Sequence, residues 1–295
     1  MPRPLDRAGV AIVVVLCASW GFNQVSAKYA LAEIPPLTQA ALRSGIGFVL
    51  LGAYALWRVP ALFARDGALR SGVLCGLCFA FEFVLLYLGL QWTTASRAVV
   101  FLYSAPFFVA LGLAWVTPGE RLTALQWLGL VVAFCGVALA MGVSFSDRTM
   151  LVGDLMCVGA GALWAATTLI VKGSALGRVS PEKTLLYQLG VSAVVIGAAA
   201  AARGETFPTH VSPSIAVAFL YQVVWVVCVT FVLWFWMVKR YRAAELSAYT
   251  FLTPLFGVAA AHGVLGDALP LPFVMAVGLV AAGIVMVNWP AHPRA

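Results

Sequence analysis

Charge is what this chain lacks. Of its 295 residues only 10% are Asp, Glu, Lys or Arg, against about 25% in an ordinary soluble domain. Eleven acidic and 18 basic side chains cannot clothe the outside of a folded chain of this length, so a soluble globular fold is excluded. The Gly-x-x-x-x-Gly-Lys-[Ser/Thr] phosphate loop is also missing, which argues against direct ATP coupling within this chain. Cysteine is sparse: Cys17, Cys75, Cys78, Cys135, Cys157 and Cys228 all fall in apolar runs. The lone Cys75-x-x-Cys78 has no second pair and no nearby histidine, so the cysteines read as small packing residues. No metal and no cofactor is expected.

What is present is apolar surface, 63% of the residues. A bilayer-spanning helix needs about 20 predominantly apolar residues, and ten such runs can be drawn. They are Gly9–Ala32, Pro36–Trp57, Arg70–Leu90, Ala95–Val116, Thr123–Gly142, Val152–Ala175, Pro181–Ala202, Ser212–Val238, Ala244–Leu265 and Leu271–Asn288. Breaker residues separate them, among them Pro35-Pro36, Pro118-Gly119, Ser180-Pro181, Pro208 to Pro213 and Pro270-Leu271-Pro272. Arg3 and Arg7 ahead of Val10–Ala18 imitate a signal peptide. Leu16 is too large to precede a processed cysteine, and the run continues to Ala32 without a small-x-small site, so an uncleaved first helix is expected.

The net charge of +7 then becomes a question of position. With the N-terminus inside, the inner segments hold Arg3, Arg7, Arg58, Arg65, Arg70, Arg121, Arg178, Lys183, Lys239, Arg240, Arg242 and Arg294, while the outer ones hold Arg148 and Arg203. That asymmetry fits N-in, C-in topology. Most of the basic charge is an orientation signal, and nucleic acid is not an expected partner.

The chain also repeats itself. Trp20, Asn23, Gln24 and Lys28 are matched by Trp164, Thr167, Thr168 and Lys172, each 144 positions later and on one helical face. Pro36 pairs with Pro181 at 145; Glu82-Phe83-Val84-Leu85 pairs with Thr230-Phe231-Val232-Leu233 at 148, as do Ala95 with Ala243, Pro106 with Pro254 and Phe108 with Phe256. The expected units are residues 1–142 and 152–295, joined by 143–151. Five spans in each half force the second half into the membrane upside down. The fold class is therefore an all-α integral membrane protein of ten transmembrane helices in two inverted-topology five-helix repeats. Two inverted halves can pack in two nearly equivalent ways around a site near the bilayer midplane, which is the architecture of alternating access.

Trp20-Gly21-Phe22-Asn23 with Lys28, Leu42-Arg43, Tyr103-x-x-Pro106, and Gly119-Glu120-Arg121-Leu122-Thr123 with Gln126-Trp127-x-Gly129 and Gly136 resemble the EamA family of the drug/metabolite transporter superfamily. The resemblance runs over nearly the whole chain, and within the family it is most similar to the YddG-type exporters of amino acids, aromatic ones included. It implies a central cavity walled by the first four helices of each half, with the fifth at the periphery. In the second half Asp267-Ala268-Leu269 departs from the Gly-Glu-Arg-Leu-Thr pattern.

Polar groups within a membrane are costly and usually face the bundle interior. Arg43 either attracts a substrate carboxylate, pairs with Glu82, or snorkels to the headgroups. Glu82 either lines a cavity and carries a proton or is held in a structural pair. His262 is a titratable group or a packing residue, and Lys28 and Lys172 meet anionic substrate groups or lipid phosphate. The expected cavity set is Trp20, Asn23, Gln24, Arg43, Phe79, Glu82, Phe83, Tyr103, Trp164, Thr168, Tyr187, Gln188, Tyr221, Phe251 and His262. Pro106 and Pro254, taken as mid-helix prolines that each remove a backbone hydrogen bond, are the expected hinges, with static kinks as the alternative. The function these features point to is export of small metabolites across a bacterial inner membrane by a multi-pass protein whose partners are a small-molecule substrate and lipid, with a monomeric state left open. A lipid or polyprenol-linked carrier and a membrane-embedded enzyme are the competing readings.

Overall fold

The computed structural model describes residues 3–60, 62–117, 121–142, 148–265 and 272–289. The Gly119-Glu120 turn, most of the 143–151 connection, the Asp267-Ala268-Leu269 turn and Arg294 lie outside these described residues. The helices in chain order are α1 (Arg7–Ala30), α2 (Pro36–Arg58), α3 (Leu69–Gly89), α4 (Ala95–Leu102), α5 (Ala105–Val116), α6 (Ala124–Ala140), α7 (Leu151–Gly173), α8 (Pro181–Ala202), α9 (Pro213–Leu220), α10 (Phe231–Arg240), α11 (Ala243–Tyr249), α12 (Leu252–Leu265) and α13 (Phe273–Val287). Among the described residues seven stretches, including Arg97–Val116 and the unbroken Pro213–Arg240, are long and apolar enough to cross a membrane. Ala124–Ala140 and Phe273–Val287 are shorter apolar helices. The protein is a multi-pass membrane bundle.

Contacts at the helix ends define two faces. At the near face, where α1 begins, Arg3 and Tyr241 form an isolated backbone bridge, and the Tyr241 hydroxyl donates to Asp6 at 3.0 Å. The Lys172 ammonium, at the end of α7, donates to the Tyr241 carbonyl at 2.6 Å. The start of α1 and the end of α7 therefore share one face, so these repeat-related helices run antiparallel. Asp66, in the connection from α2 to α3, accepts from Lys183 at the start of α8 at 2.6 Å. At the far face Glu33 accepts from the Ser212 amide at 2.7 Å, Glu205 accepts from the Thr38 amide at 2.7 Å, and Arg97 forms a buried ion pair with Asp154. Free amides at helix starts attract carboxylates. Glu205 supplies one for α2 and Glu33 one beside α9, each from the other half of the chain.

The halves interlock along α3 with α7, α2 with α8, α1 with α12 and α6 with α13. The α6–α13 contact is made close by glycine: a Cβ at Gly129 would stand 2.7 Å from the Gly283 carbonyl, and one at Gly283 would stand 2.5 Å from the Gly129 carbonyl. Small residues let backbones approach where lipid offers no hydrophobic drive for association. The Gln126 amide adds a cross-link, donating to the Val287 carbonyl at 2.9 Å.

Two features depart from a set of regular helices. Residues Tyr221–Thr230 between α9 and α10 are wound as a π-helix, a form that is rare beyond a single turn and is found frequently at functional sites. The fourth span is broken at Tyr103–Ser104 and its repeat counterpart at Thr250–Phe251. Pro106 falls in the first turn of α5 and Pro254 in the first turn of α12. This corrects their expected mid-helix position: a first-turn amide has no intrahelical acceptor, so neither proline removes a hydrogen bond. The breaks precede them.

Two consequences can be measured on detergent-solubilised protein. Gly129→Leu forces α6 and α13 apart and is expected to cost about 1–3 kcal/mol, seen as a lowered melting temperature. The hydrogen bond from Lys183 holds the Asp66 carboxyl below the usual aspartate range. A depressed folded-state pKa contributes stability above the unfolded value and loses it as pH falls through the folded one. The melting temperature of the parent should therefore drop more between about pH 5 and about pH 3 than that of Asp66→Asn.

Candidate functional site: a cavity between the two halves

Helices from both halves line a cavity of about 240 Å³. From the first half α1 contributes Trp20, Asn23, Gln24 and Ala27, α2 contributes Arg43, and α3 contributes Phe79, Glu82, Phe83, Leu86 and Tyr87. The broken fourth span adds Leu102 and Tyr103. The second half supplies Trp164 and Thr167 from α7, Gln188 from α8, Val226 from the π-helix, Phe231, Trp234 and Phe235 from α10, and Thr253 from α12. The space extends from the middle of the bundle toward the far face, along the second halves of α1 and α3. Toward the near face Val13, Leu16, Cys17, Met237, Val238 and Tyr241 pack into a core with 0–1% exposure.

The walls are aromatic. Trp20 meets Trp234 edge-on at 5.3 Å between ring centres and Phe231 at 6.1 Å. Phe79 meets Phe83 at 5.1 Å, and Tyr103 meets Trp164 at 5.5 Å. The Trp20 indole N–H donates to the Thr230 hydroxyl at 2.9 Å, which itself donates to the Val226 carbonyl at 2.6 Å.

Against these rings stand polar atoms without partners. Arg43 is 7% exposed and Glu82 8%, yet Arg43 Nε and Nη2 and one Glu82 carboxylate oxygen make no hydrogen bond. Among the described residues the two form no ion pair, and Arg43 is buried rather than drawn to the membrane surface. Its guanidinium carbon lies 4.7 Å from the centre of the Phe83 ring, a cation–π contact. Asn23 Oδ1, Gln188 Oε1 and Thr253 Oγ1 are also buried and unpartnered. Buried polar atoms are normally satisfied; Gln39, Ser44 and Gln222 also have unpartnered atoms elsewhere, but the larger share lies on this cavity, which makes it the candidate ligand site.

Ten of the expected site residues line the cavity: Trp20, Asn23, Gln24, Arg43, Phe79, Glu82, Phe83, Tyr103, Trp164 and Gln188. Five lie elsewhere. Thr168 borders a separate void of about 10 Å³ beside Pro106. Tyr187 packs on Gly72, because the glycine leaves the ring a place between α8 and α3. Tyr221 donates to the Ser19 carbonyl at 3.0 Å and stacks edge-on with Phe22. Phe251 is fully buried in the core at the break between α11 and α12. His262 is exposed near the end of α12. Sequence reasoning missed Phe231, Trp234 and Phe235 as lining residues, although Phe231 is the repeat counterpart of Phe83. Nothing in the Val-rich run ahead of them announces the π-helix that turns them inward.

A multi-pass bundle with an aromatic cavity between its two halves and broken helices at the cavity wall is an arrangement shared with membrane carriers. The chain belongs to the EamA-like transporter family, whose pattern matches residues 7–142 and 151–289. It is 27% identical over 292 residues to the transporter YvbV of Bacillus subtilis, covering 98% of this chain and 93% of that one. Two probable amino-acid metabolite efflux pumps are similar: that of Salmonella typhimurium at 24% identity, covering 96% of this chain and 93% of the relative, and that of Escherichia coli at 23%, covering 95% and 94%. A crystal structure with 17% identity shares the fold over 95% of this chain and 96% of its own, with a TM-score of 0.78.

Unpaired buried charges destabilise, and replacing them by apolar groups of similar volume is often neutral or stabilising by about 1–4 kcal/mol. The double variant Arg43→Met/Glu82→Met is therefore expected to melt at a temperature equal to or above the parent's. A large drop in melting temperature would show that the two groups hold the fold together.

Proposed function

We propose that this protein exports small amphipathic metabolites, amino acids with aromatic or apolar side chains above all, by alternating access through the cavity between its halves. The observation that carries this reading is the pairing of opposite charges with aromatic walls: Arg43 and Glu82 are both buried and both unpartnered among Trp20, Phe79, Phe83 and Trp164. An unpaired guanidinium suits a carboxylate, which it can meet with two parallel hydrogen bonds. A carboxylate beside it suits an ammonium, and the rings take an apolar side chain. A zwitterion brings both charges on one small molecule. The names of the two efflux pumps among the relatives agree with this class.

In this reading residues 1–142 and 152–295 are the two inverted repeats. The shorter α6 and α13 and the broken α11–α12 complete ten spans. The near face, which holds Arg3, Arg58, Arg65, Lys183 and Lys239, is cytoplasmic by its excess of basic residues, and the membrane is the bacterial inner membrane. The breaks ahead of Pro106 and Pro254 serve as the hinges. Substrate and lipid are the partners, a single chain encloses the whole cavity, and no chemical step is involved.

Flux of radiolabelled L-phenylalanine into proteoliposomes tests the proposal. Arg43→Gln should lower the initial rate by about tenfold or more, the loss expected for a charged hydrogen bond, while Arg43→Lys should recover part of it. Absence of flux over a broad amino-acid panel, with the protein folded, would sink it.

A further inference from the structure

The two halves are related by sequence but do not hold equivalent contacts. Lys172 on α7 reaches across the near face to the Tyr241 carbonyl at 2.6 Å. Its repeat counterpart, Lys28 on α1, is exposed at the far face, and its ammonium makes no hydrogen bond among the described residues. The counterpart of Tyr241 is Thr93, 148 positions earlier, in the connection that leads into α4. The same imbalance recurs at the cavity. Trp20 donates to Thr230 at 2.9 Å, whereas in the equivalent pair Trp164 stands against Tyr103 and one oxygen of Glu82, the counterpart of Thr230, is unpartnered. Residues beside the lysines agree: Ala27 lines the cavity, and its counterpart Val171 has 0% exposure.

Inverted repeats exchange roles when a carrier turns from one side to the other, so the contacts that close one face are the template for closing the other. We propose that Lys28 and Lys172 are reciprocal locks. When the far face closes, Lys28 donates to the Thr93 carbonyl and the Trp164 indole donates to the Glu82 carboxylate, while the Lys172–Tyr241 and Trp20–Thr230 bonds on the near side open. The lysines thus act on the backbone of their own half, at the connection that leads into its fourth span, rather than on substrate or lipid phosphate. Glu82 gains its partner in the state the present structure is not in. The inference rests on the alternating-access reading and adds to it which atoms hold each state.

The test is thiol labelling in membrane vesicles with a membrane-permeant maleimide, in a background lacking the six native cysteines. Ala27→Cys reports opening at the far face and Val171→Cys opening at the near face. In the parent background position 27 should label fast and position 171 slowly. Lys172→Met should raise labelling at 171 and lower it at 27, each by about tenfold, since loss of one charged hydrogen bond shifts a two-state equilibrium by that order. Lys28→Met should leave 171 slow and 27 fast even with saturating L-phenylalanine, and Trp164→Phe should behave like Lys28→Met. Lys172→Arg, which keeps a donor, should stay near the parent at both positions. Rates that rise together at 27 and 171 in Lys172→Met would mean general loosening and overturn the locks, as would unchanged rates at both positions. Flux measured on the same variants separates the two readings. Unmoved labelling with intact flux removes the locks alone, and absent flux in the parent removes the transport reading itself.

Discussion

An ionisable group without a hydrogen-bond partner is among the least favourable things a membrane helix can carry, and this fold carries two of them on the wall of one cavity. Arg43 and Glu82 are more than nine-tenths buried on neighbouring helices, neither bonded to the other nor reaching the membrane surface. Much of the surrounding architecture can be understood as what keeps them so. The aromatic rings leave them a cavity and withhold bonds. Phe83 supports the guanidinium through its face. The carboxylates that could compete for Arg43, Glu33 and Glu205, are engaged at the far face on backbone amides, and Asp154 is held by Arg97. These three acidic groups are thus engaged elsewhere, and the pair at the cavity stays available.

The scaffold that maintains this state is built from contacts between halves rather than within them. Glycine against glycine joins α6 to α13, and α2 and α9 each begin against a glutamate from the other half. Such contacts are directional and short, and in the proposed cycle they keep the halves attached at their rim while the middle repacks. The π-helical stretch and the two broken spans lie beside the cavity, where the proposed cycle places that repacking. A π-turn and a helix break both leave backbone groups whose bonding is easily exchanged. Residues next to them, Val226, Phe231, Tyr103 and Thr253, are cavity walls.

The large-scale features were legible in the sequence because they rest on periodicity and sparsity. Long apolar runs mark spans, and a repeated Trp-x-x-polar-polar pattern with Lys at its end marks equivalent helices. A lone Arg43 and Glu82 stand out in a chain with so few charges. What could not be read was side-chain direction within a span that looks apolar on every face. Tyr187, Tyr221 and Phe251 were indistinguishable by composition from Phe79 and Tyr103, and only packing separates them: Gly72 admits the Tyr187 ring, the Ser19 carbonyl holds Tyr221, and a core encloses Phe251. The π-helix was hidden for the same reason, since a run of Val and Cys fits an α-turn and a π-turn equally well. The prolines misled in the opposite sense. Their symmetry was plain, but a proline in the sequence does not say whether it bends a helix or begins one.

The halves differ most where it matters most. Arg43 has Gln188 as its counterpart, and Glu82 has Thr230, so both charges belong to the first half and both neutral substitutes to the second. A dimer of identical halves would present the same groups to either side of the membrane and hold its two conformations at equal energy. In this chain the differences at these positions remove that degeneracy. In the proposed cycle this gives the protein a resting preference written in its covalent sequence, independent of any gradient across the membrane.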